Sequence, residues 1–456
     1  MSDFRAYPRL NEFERLQISD GLAINAERWQ HAHNYHRQRQ NFQYQALYEP
    51  GIIYGLGVAI VPDQPDGRLL QIQPGVAIDI EGNPIIVKQP EEFRIASEPS
   101  AGQTLCVHLA VSHVDPDTLR RAAGTKTVAE TFRLVEKVQL DPRDVELCRI
   151  QLQGGVTQLQ SPDDVFYPSL NQLDFRGRCY PNPYPQFQVQ VGQVTSDRAT
   201  DQATAQGLTA LLRSLTGLYP ALRGIPTIQT VAANALGQES LLNCQVLYLP
   251  YTVLLTLSNP ALQRLNTYLA YGSVLLVVAD FTEVNLLELL DIGRELRLGL
   301  LEAERDRELF EQTGNQLKAE ITANQSALTQ RLTDLEQSLA PIALKLGRSL
   351  AAPGTLPEDH PLRYQPFVFG QLPCRLGHPI AVKTWDGLVL VVGDISRAWG
   401  GDSTLELPRE VLRAAQEWGV NLLHFAAQRQ QWMQSMQPLP TLDSATDSLQ
   451  RRVQPM

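Results

Sequence analysis

Three prolines in six residues, Tyr180-Pro181-Asn182-Pro183-Tyr184-Pro185, punctuate this chain near its middle. Proline fixes φ and removes a backbone donor, so neither a helix nor a central strand runs through such a segment. Elements before it must close before it, and those beyond start afresh. The chain has 456 residues, a length that predicts two or three domains. Residues 166–186 read as a Pro-rich linker between them.

The sequence changes character across that segment. Residues 10–47 are polar and helix-favouring, with Phe13, Leu16, Trp29, Tyr35 and Phe42 spaced along them, and Glu49-Pro50-Gly51 follows. One or two amphipathic helices are expected there. Short apolar runs at 52–61, 69–72, 75–80, 84–87, 104–112 and 145–152, parted by Gly, Pro, Asp and Asn, predict strands and turns. The polar connection at 115–138 reads as a loop or a short helix. Beyond Pro185, apolar runs at 187–194, 227–231, 246–250, 274–280, 380–384 and 388–394 alternate with helical patterns at 202–216, 260–270 and 408–418, and a last run covers 421–428. Such alternation predicts a parallel sheet with helices on both faces.

The expected fold class is α+β multidomain. A helical segment (1–48) leads to a β-rich module (49–165), the linker (166–186), an α/β parallel-sheet domain of flavodoxin-like kind (187–432) and a loose tail (433–456). The α/β pattern is interrupted at 283–346, where the first proline is Pro341 and Leu317, Ile321, Leu328, Leu335 and Leu339 recur at helical spacing. Asn324 and Arg331 fall on the same seam. The segment reads as one long helix or two in series, and a single helix of that length would extend about 90 Å, farther than a domain is wide. A coiled-coil-like arm is expected, packed at home or on another subunit.

Composition excludes several function classes. With 39 Lys plus Arg against 49 Asp plus Glu, the net charge is −10, and no basic cluster exists to neutralise phosphates, so no nucleic-acid partner is expected. No apolar stretch approaches the ~20 residues that span a bilayer, so no direct membrane insertion is expected. The N-terminal residues lack an apolar signal segment, which points to the cytoplasm. Five scattered cysteines without a C-x-x-C pair read as reduced thiols. His31, His33 and His36 cluster, but only His33 and His36 share a helical turn, and no cysteine completes a metal set. With Trp29 they read as a polar-aromatic helix face for the β module or a neighbouring subunit.

Two segments carry a resemblance. Glu49-Pro50-Gly51-Ile52-Ile53-Tyr54-Gly55-Leu56-Gly57-Val58, followed by Ile72-Gln73-Pro74-Gly75-Val76-Ala77-Ile78-Asp79-Ile80-Glu81-Gly82-Asn83-Pro84-Ile85, resembles a module of phage-tail, tail-fibre and contractile-injection-system baseplate proteins. The likeness runs from Trp29 and the histidines after it to Glu146-Leu147-Cys148-Arg149-Ile150. Gly75 and Gly82 are expected where turns need φ > 0, and Asp79 or Asn83 is expected to close the turn. Residues 187–430 resemble an uncharacterised bacterial domain family with a class I glutamine-amidotransferase-like fold, through Leu247 to Tyr251, Leu265 to Asp280, Asp359-His360-Pro361, Gly393-Asp394 and Trp418 to Asn421.

That second resemblance implies a fold, and the reaction needs a cysteine on a strand-to-helix elbow. Cys244 precedes the 246–250 run, at its wrong end, and Cys374 follows Pro373 rather than a small-residue elbow. No enzymatic activity is expected. Asp280, Asp394 and Arg397 stand where open α/β sheets place ligands, and Asp359 with His360 and His378 is a possible acid–base group. The absence of a G-x-G-x-x-G or P-loop motif leaves no cofactor expected. The resemblances together imply a non-enzymatic structural subunit of a phage-tail-like contractile injection system, working in the cytoplasm within a large particle. Its partners would be other baseplate, sheath or tube subunits and copies of itself. The alternative is a cytoplasmic enzyme or ligand-binding protein using a strand-end pocket formed by Asp280, Asp359, His360 and Asp394.

Overall fold

The computed structural model describes residues 12–62, 64, 67–115, 127, 130–155, 158–195, 200–236, 243–305, 307–350, 356–400 and 407–436. The chain divides into two compact units, one running to Tyr184 and the other starting at Pro185.

Among the described residues the first unit contains α1 (Ala26–Leu47) and ten strands: β1 (Gly51–Gly55), β2 (Val58–Ile60), β3 (Leu69–Ile72), β4 (Gly75–Ile78), β5 (Pro84–Val87), β6 (Glu91–Arg94), β7 (Thr104–Val114), β8 (Thr131–Lys137), β9 (Val145–Gln153) and β10 (Leu173–Asp174). They form antiparallel sheets in the orders β1-β4-β5, β2-β3-β6 and β10-β9-β7-β8. Side chains alternate across a strand, so Val107 and Leu109 of β7 enter one core with Leu70, Ile72, Ile85, Leu147 and Ile150.

The hairpin chemistry is visible residue by residue. Asp79 Oδ1 accepts hydrogen bonds from the Glu81 and Asn83 amides at 2.9 and 2.8 Å, closing the β4–β5 turn. Gly82 sits at φ +75°, the left-handed region that glycine enters without steric cost. Gly75 differs from expectation, because it is not among the positive-φ glycines. What it supplies is space: a Cβ there would collide with the backbone of Tyr54 and Leu56.

Of the one or two helices expected before Glu49, one forms among the described residues, beginning where the Asn25 side chain accepts the Arg28 amide at 2.9 Å and caps it. Two other expectations change in this unit. The connection at 115–138 contains β8, paired along β7, while its residues 116–126 and 128–129 lie outside the described residues. Residues 166–184, read as linker, belong to the first unit: β10 pairs with β9, and the Asn182 and Cys179 carbonyls accept the Glu49 and Ile52 amides, each at 2.8 Å. A proline-rich strip cannot donate freely, but its carbonyls still accept.

The second unit begins with β11 (Phe187–Val189), β12 (Val191–Thr195), α2 (Asp201–Leu218), β13 (Leu222–Gly224), β14 (Gln229–Ala232), β15 (Val246–Pro250), α3 (Tyr251–Leu254), α4 (Asn259–Ala270) and β16 (Val274–Ala279). It continues through α5 (Leu287–Ala303), α6 (Arg307–Lys345), α7 (Pro361–Tyr364), β17 (Cys374–Arg375), β18 (His378–Pro379), β19 (Ala381–Trp385), β20 (Leu388–Val392), α8 (Ser396–Trp399) and α9 (Arg409–Ser435). The main sheet has the order β14-β12-β15-β16-β20-β19. Its first five strands are parallel, in the doubly wound 2-1-3-4-5 arrangement, and β19 adds an antiparallel edge.

Helices cover both faces of that sheet. One core joins it to α2, α8 and α9, and the other to α3, α4 and the C-terminal half of α6. The apolar run 421–428 is not a separate element: α9 continues through it, because Gly419 packs against Leu211 and Trp399 instead of breaking the helix. The expected tail boundary at 432/433 falls inside this helix, and residues 437–456 lie outside the described residues.

Of the two readings of 283–346, the two-helix one is found, with the helices folded back on each other instead of running in series. The α5–α6 connection spans only residues 304–306, and Asn324 Nδ2 of α6 donates to the Leu289 carbonyl of α5 at 3.0 Å. Near the connection, Leu317 faces Gly299. Contacts that converge toward the connection define an antiparallel hairpin, so the ~90 Å reach of a single helix is not realised.

Candidate interface helix and strand-end groups

The sequence nominates two interface helices, and the structure treats them differently. No residue of α1 is buried. The helix is held on the β4–β5 turn and the end of β7 by one stripe spaced every fourth residue. Arg37 pairs with Asp115 at 3.6 Å, the Asn41 and Asn83 amides meet at 2.6 Å, and Gln45 Nε2 donates to the Glu81 carbonyl at 2.5 Å. Gly82 makes this approach possible, since a Cβ there would strike the Asn41 carbonyl. Trp29, His33, His36 and Leu47 occupy another stripe. Trp29 is 67% exposed and Leu47 57%, and both histidines are exposed. Ile18, Ile24 and Tyr54 add apolar surface in the same unit. The histidines form no metal group; none of three or more such ligands is found among the described residues.

The leucines of α6 serve the second unit's own core. Leu339 is fully buried, and Leu328 and Leu335 pack half-buried beside it. Leu317 and Ile321, nearer the hairpin connection, are half-buried. Asn324, which weakens the seam as a coiled coil, is 8% exposed and finds its partner on α5, over Gly293. A buried amide with a backbone acceptor fixes the register of the two helices.

The four strand-end groups do not gather in one cleft. Asp280 follows β16 and accepts the Thr282 amide and hydroxyl at 3.0 and 2.6 Å, with Arg375 at 4.0 Å. Asp394 follows β20 and accepts the Ser396 amide at 2.8 Å. Both therefore organise their own turns at the carboxyl end of the sheet. Asp359 is exposed, and His360 caps α7, its Nδ1 accepting the Leu362 amide at 3.1 Å. His360 Nε2 lies 3.4 Å from Thr384, which pairs with Val389 near the amino end of β20. The Asp359-His360 pair thus stands at the opposite end of the sheet from Asp394. Arg397 lies in the four-residue helix α8.

Sequence reasoning missed the cavity that does form at the carboxyl end. It has a volume of about 480 Å³ and is lined by Phe281, Thr282, Leu287, Glu288, Asp291 and Glu295, among others. Asp291 Oδ1 lies 3.0 Å from Nε2 of the buried His378, so His378 partners α5 instead of Asp359. Nothing in the local spacing of these residues announces a contact across 87 positions. Tyr248 was also missed. Burial and the Asp394 carboxylate hold its hydroxyl well above its ordinary value, keeping it a neutral donor.

The cysteines sit away from the strand-to-helix turns. Cys244 is buried before β15, its Sγ donating to Gln229 Oε1 at 3.0 Å, and burial pushes its thiol up to about 12. Cys374 belongs to the two-residue strand β17, and burial raises its thiol as well. The turns after β15 and β20 carry Pro250-Tyr251 and Gly393-Asp394 instead.

Among the described residues, no helix is long and apolar enough to cross a membrane. No protein-family profile matches the chain, and no curated protein matches it in sequence. Among solved structures, the crystal structure of TssK is similar to 45% of this chain and 48% of its own, at 12% identity and a TM-score of 0.23.

Proposed function

We propose that this protein is a non-enzymatic structural subunit of a phage-tail-like contractile injection system, at or near the baseplate. The observation that carries the reading is α1, a 22-residue helix with no buried residue and an exposed Trp29. Helices are stabilised chiefly by packing an apolar face, and each large apolar side chain left in water forgoes roughly 2 kcal/mol of burial. A helix held mainly by a polar stripe, with Phe42 edge-on to Phe13 at 5.3 Å, leaves its Trp29 stripe for another subunit. The ordered likeness of residues 25–155 to tail and baseplate modules supports the same reading. The second unit then acts as an amidotransferase-like scaffold without the reaction, since no cysteine stands at its strand-to-helix turns.

The test is sedimentation of a native lysate through a density gradient, followed by mass spectrometry of every co-migrating chain. Migration in a megadalton fraction with tube-, sheath- and baseplate-like proteins is expected, and Trp29→Glu should release the protein from it. Migration of the unaltered chain alone, near 50.9 kDa or as a small oligomer, would overturn the reading. The ligand-binding alternative would then rest on the acid-lined cavity beside Asp291.

A further inference from the structure

The outward face of β7 carries a second constellation. Cys106 and His108 are two residues apart on this strand and therefore share a face. Glu146 and Arg149 reach the same place from β9, where Arg149 pairs with His108 in register. His108 Nδ1 lies 3.2 Å from Glu146 Oε1, and its Nε2 lies 3.9 Å from Cys106 Sγ. With Nδ1 donating to the carboxylate, Nε2 keeps its lone pair toward the thiol. Thiol, imidazole and orienting carboxylate are then in the order that an activated sulfur nucleophile requires.

The surroundings fix this arrangement and open it to solvent. Arg149 donates from Nε and Nη2 to the two Glu146 oxygens at 2.6 and 2.9 Å. Gly177 lies against that pair, where a Cβ would overlap both side chains. Cys106 lines a cavity of about 560 Å³ with Arg149, Ser169, Gln172 and Arg176, within the size range of small-molecule sites. In each ion pair at the cavity the arginine is the exposed member: Arg149 is 37% exposed against 8% for Glu146, and Arg176 54% against 13% for Asp174. Asp174 lines the cavity too, so an incoming molecule meets two guanidinium groups against one carboxylate, with the guanidinium groups the more exposed.

We propose that Cys106 is a thiol-modification site for small disulfides that bear carboxylates, with His108 as the base and Arg149 and Arg176 as the anion-selecting wall. The thiol proton passes to His108 Nε2, and the sulfur attacks one sulfur of the disulfide. The disulfide S–S bond breaks as the new S–S bond to Cys106 forms. The departing thiolate takes a proton from the imidazolium and leaves as a thiol. Cys106 is oxidised and the departing sulfur is reduced, so the disulfide is the only oxidant required. Cys148 and Cys244 are fully buried and stand outside this chemistry; burial raises the Cys106 thiol as well, so its thiolate forms only as the proton passes to His108.

The experiment uses the full chain under native conditions, with glutathione disulfide as the anionic probe and cystamine as the cationic one. Modified peptides are followed in time by mass spectrometry. The mixed disulfide is expected first at Cys106, faster with glutathione disulfide than with cystamine. His108→Gln should slow it about tenfold or more, the scale of lost base catalysis. Arg176→Gln, at an exposed position that leaves the core intact, should lower the preference for the anionic probe. Reaction at Cys106 no faster than at Cys179 or Cys374 would overturn the proposal with no variant needed. An unchanged probe preference in Arg176→Gln would remove the anion-selecting wall.

Discussion

Helices α1 and α6 look alike in sequence as interface candidates, yet they have opposite relations to the core. The stripe on α6 is leucine and isoleucine at four- and seven-residue spacing, and the C-terminal part of the helix is buried through Leu339 and Ala343. The stripe on α1 is aromatic and imidazole, and no residue of that helix is buried. Evenly spaced aliphatic side chains interdigitate with neighbours of their own unit. Amphipathic Trp and His side chains are suited to surfaces that meet water before they meet a partner.

That contrast can be broken most forcefully at Leu339. Leu339→Ala should lower the stability of the second unit by about 2–5 kcal/mol, the usual cost of emptying a leucine site, as read by urea unfolding. A loss below about 1 kcal/mol would mean that α6 is not a core helix. Gly82→Ala should cost about 1–3 kcal/mol in the first unit, because φ is positive there and the added Cβ meets the Asn41 carbonyl. Limited proteolysis should then cut α1 first. Trp29→Ala should change stability by no more than about 0.5 kcal/mol while abolishing migration in the particle fraction. A large loss of stability instead would place Trp29 in this chain's own packing.

The gentlest test is pH. Burial lowers the value of His360 below its ordinary 6.5, against the raising effect of Asp359, and burial lowers His424 likewise. The unfolded chain therefore binds these protons first, so the second unit should be stable above about pH 6.5 and weaken as pH falls through and below that value. Protonation of His360 would also remove the acceptor for the Leu362 amide. His360→Asn supplies a cap that does not titrate, and the acid slope measured by thermal unfolding should flatten. A slope unchanged in this variant would exclude His360 from the effect.

Much of the second unit was legible because its strands are continuous apolar runs: 246–250 matches β15, and 274–280 extends one residue past β16. Strands of mixed polarity were harder. Glu91–Arg94 has one apolar residue in four. Thr131–Lys137 alternates Phe132 and Leu134 with charged neighbours inside a stretch that reads as polar. The end of α9 was misjudged because glycine at 419 reads as a stop, while its role is to admit the side chains of Leu211 and Trp399. The candidate sites were least legible. Asp280, Asp394 and His360 all proved to hold local turns, the commoner use of such residues. The relation of His108 to Glu146 exists only through the β7–β9 register, which shifts at Leu109/Ala110.

The hairpin of α5 and α6 has a consequence for the order in which the second unit forms. It sits between two strands that are neighbours in the sheet, so Leu275 of β16 waits for Leu388 of β20, more than a hundred residues later in synthesis. Pairings this distant in sequence raise contact order and slow folding. Until β20 arrives, one edge of β16 is unpaired, and the face that α9 covers stays wet until still later. A nascent chain in that condition exposes apolar surface for as long as translation takes to cross the hairpin, the interval in which chaperones act.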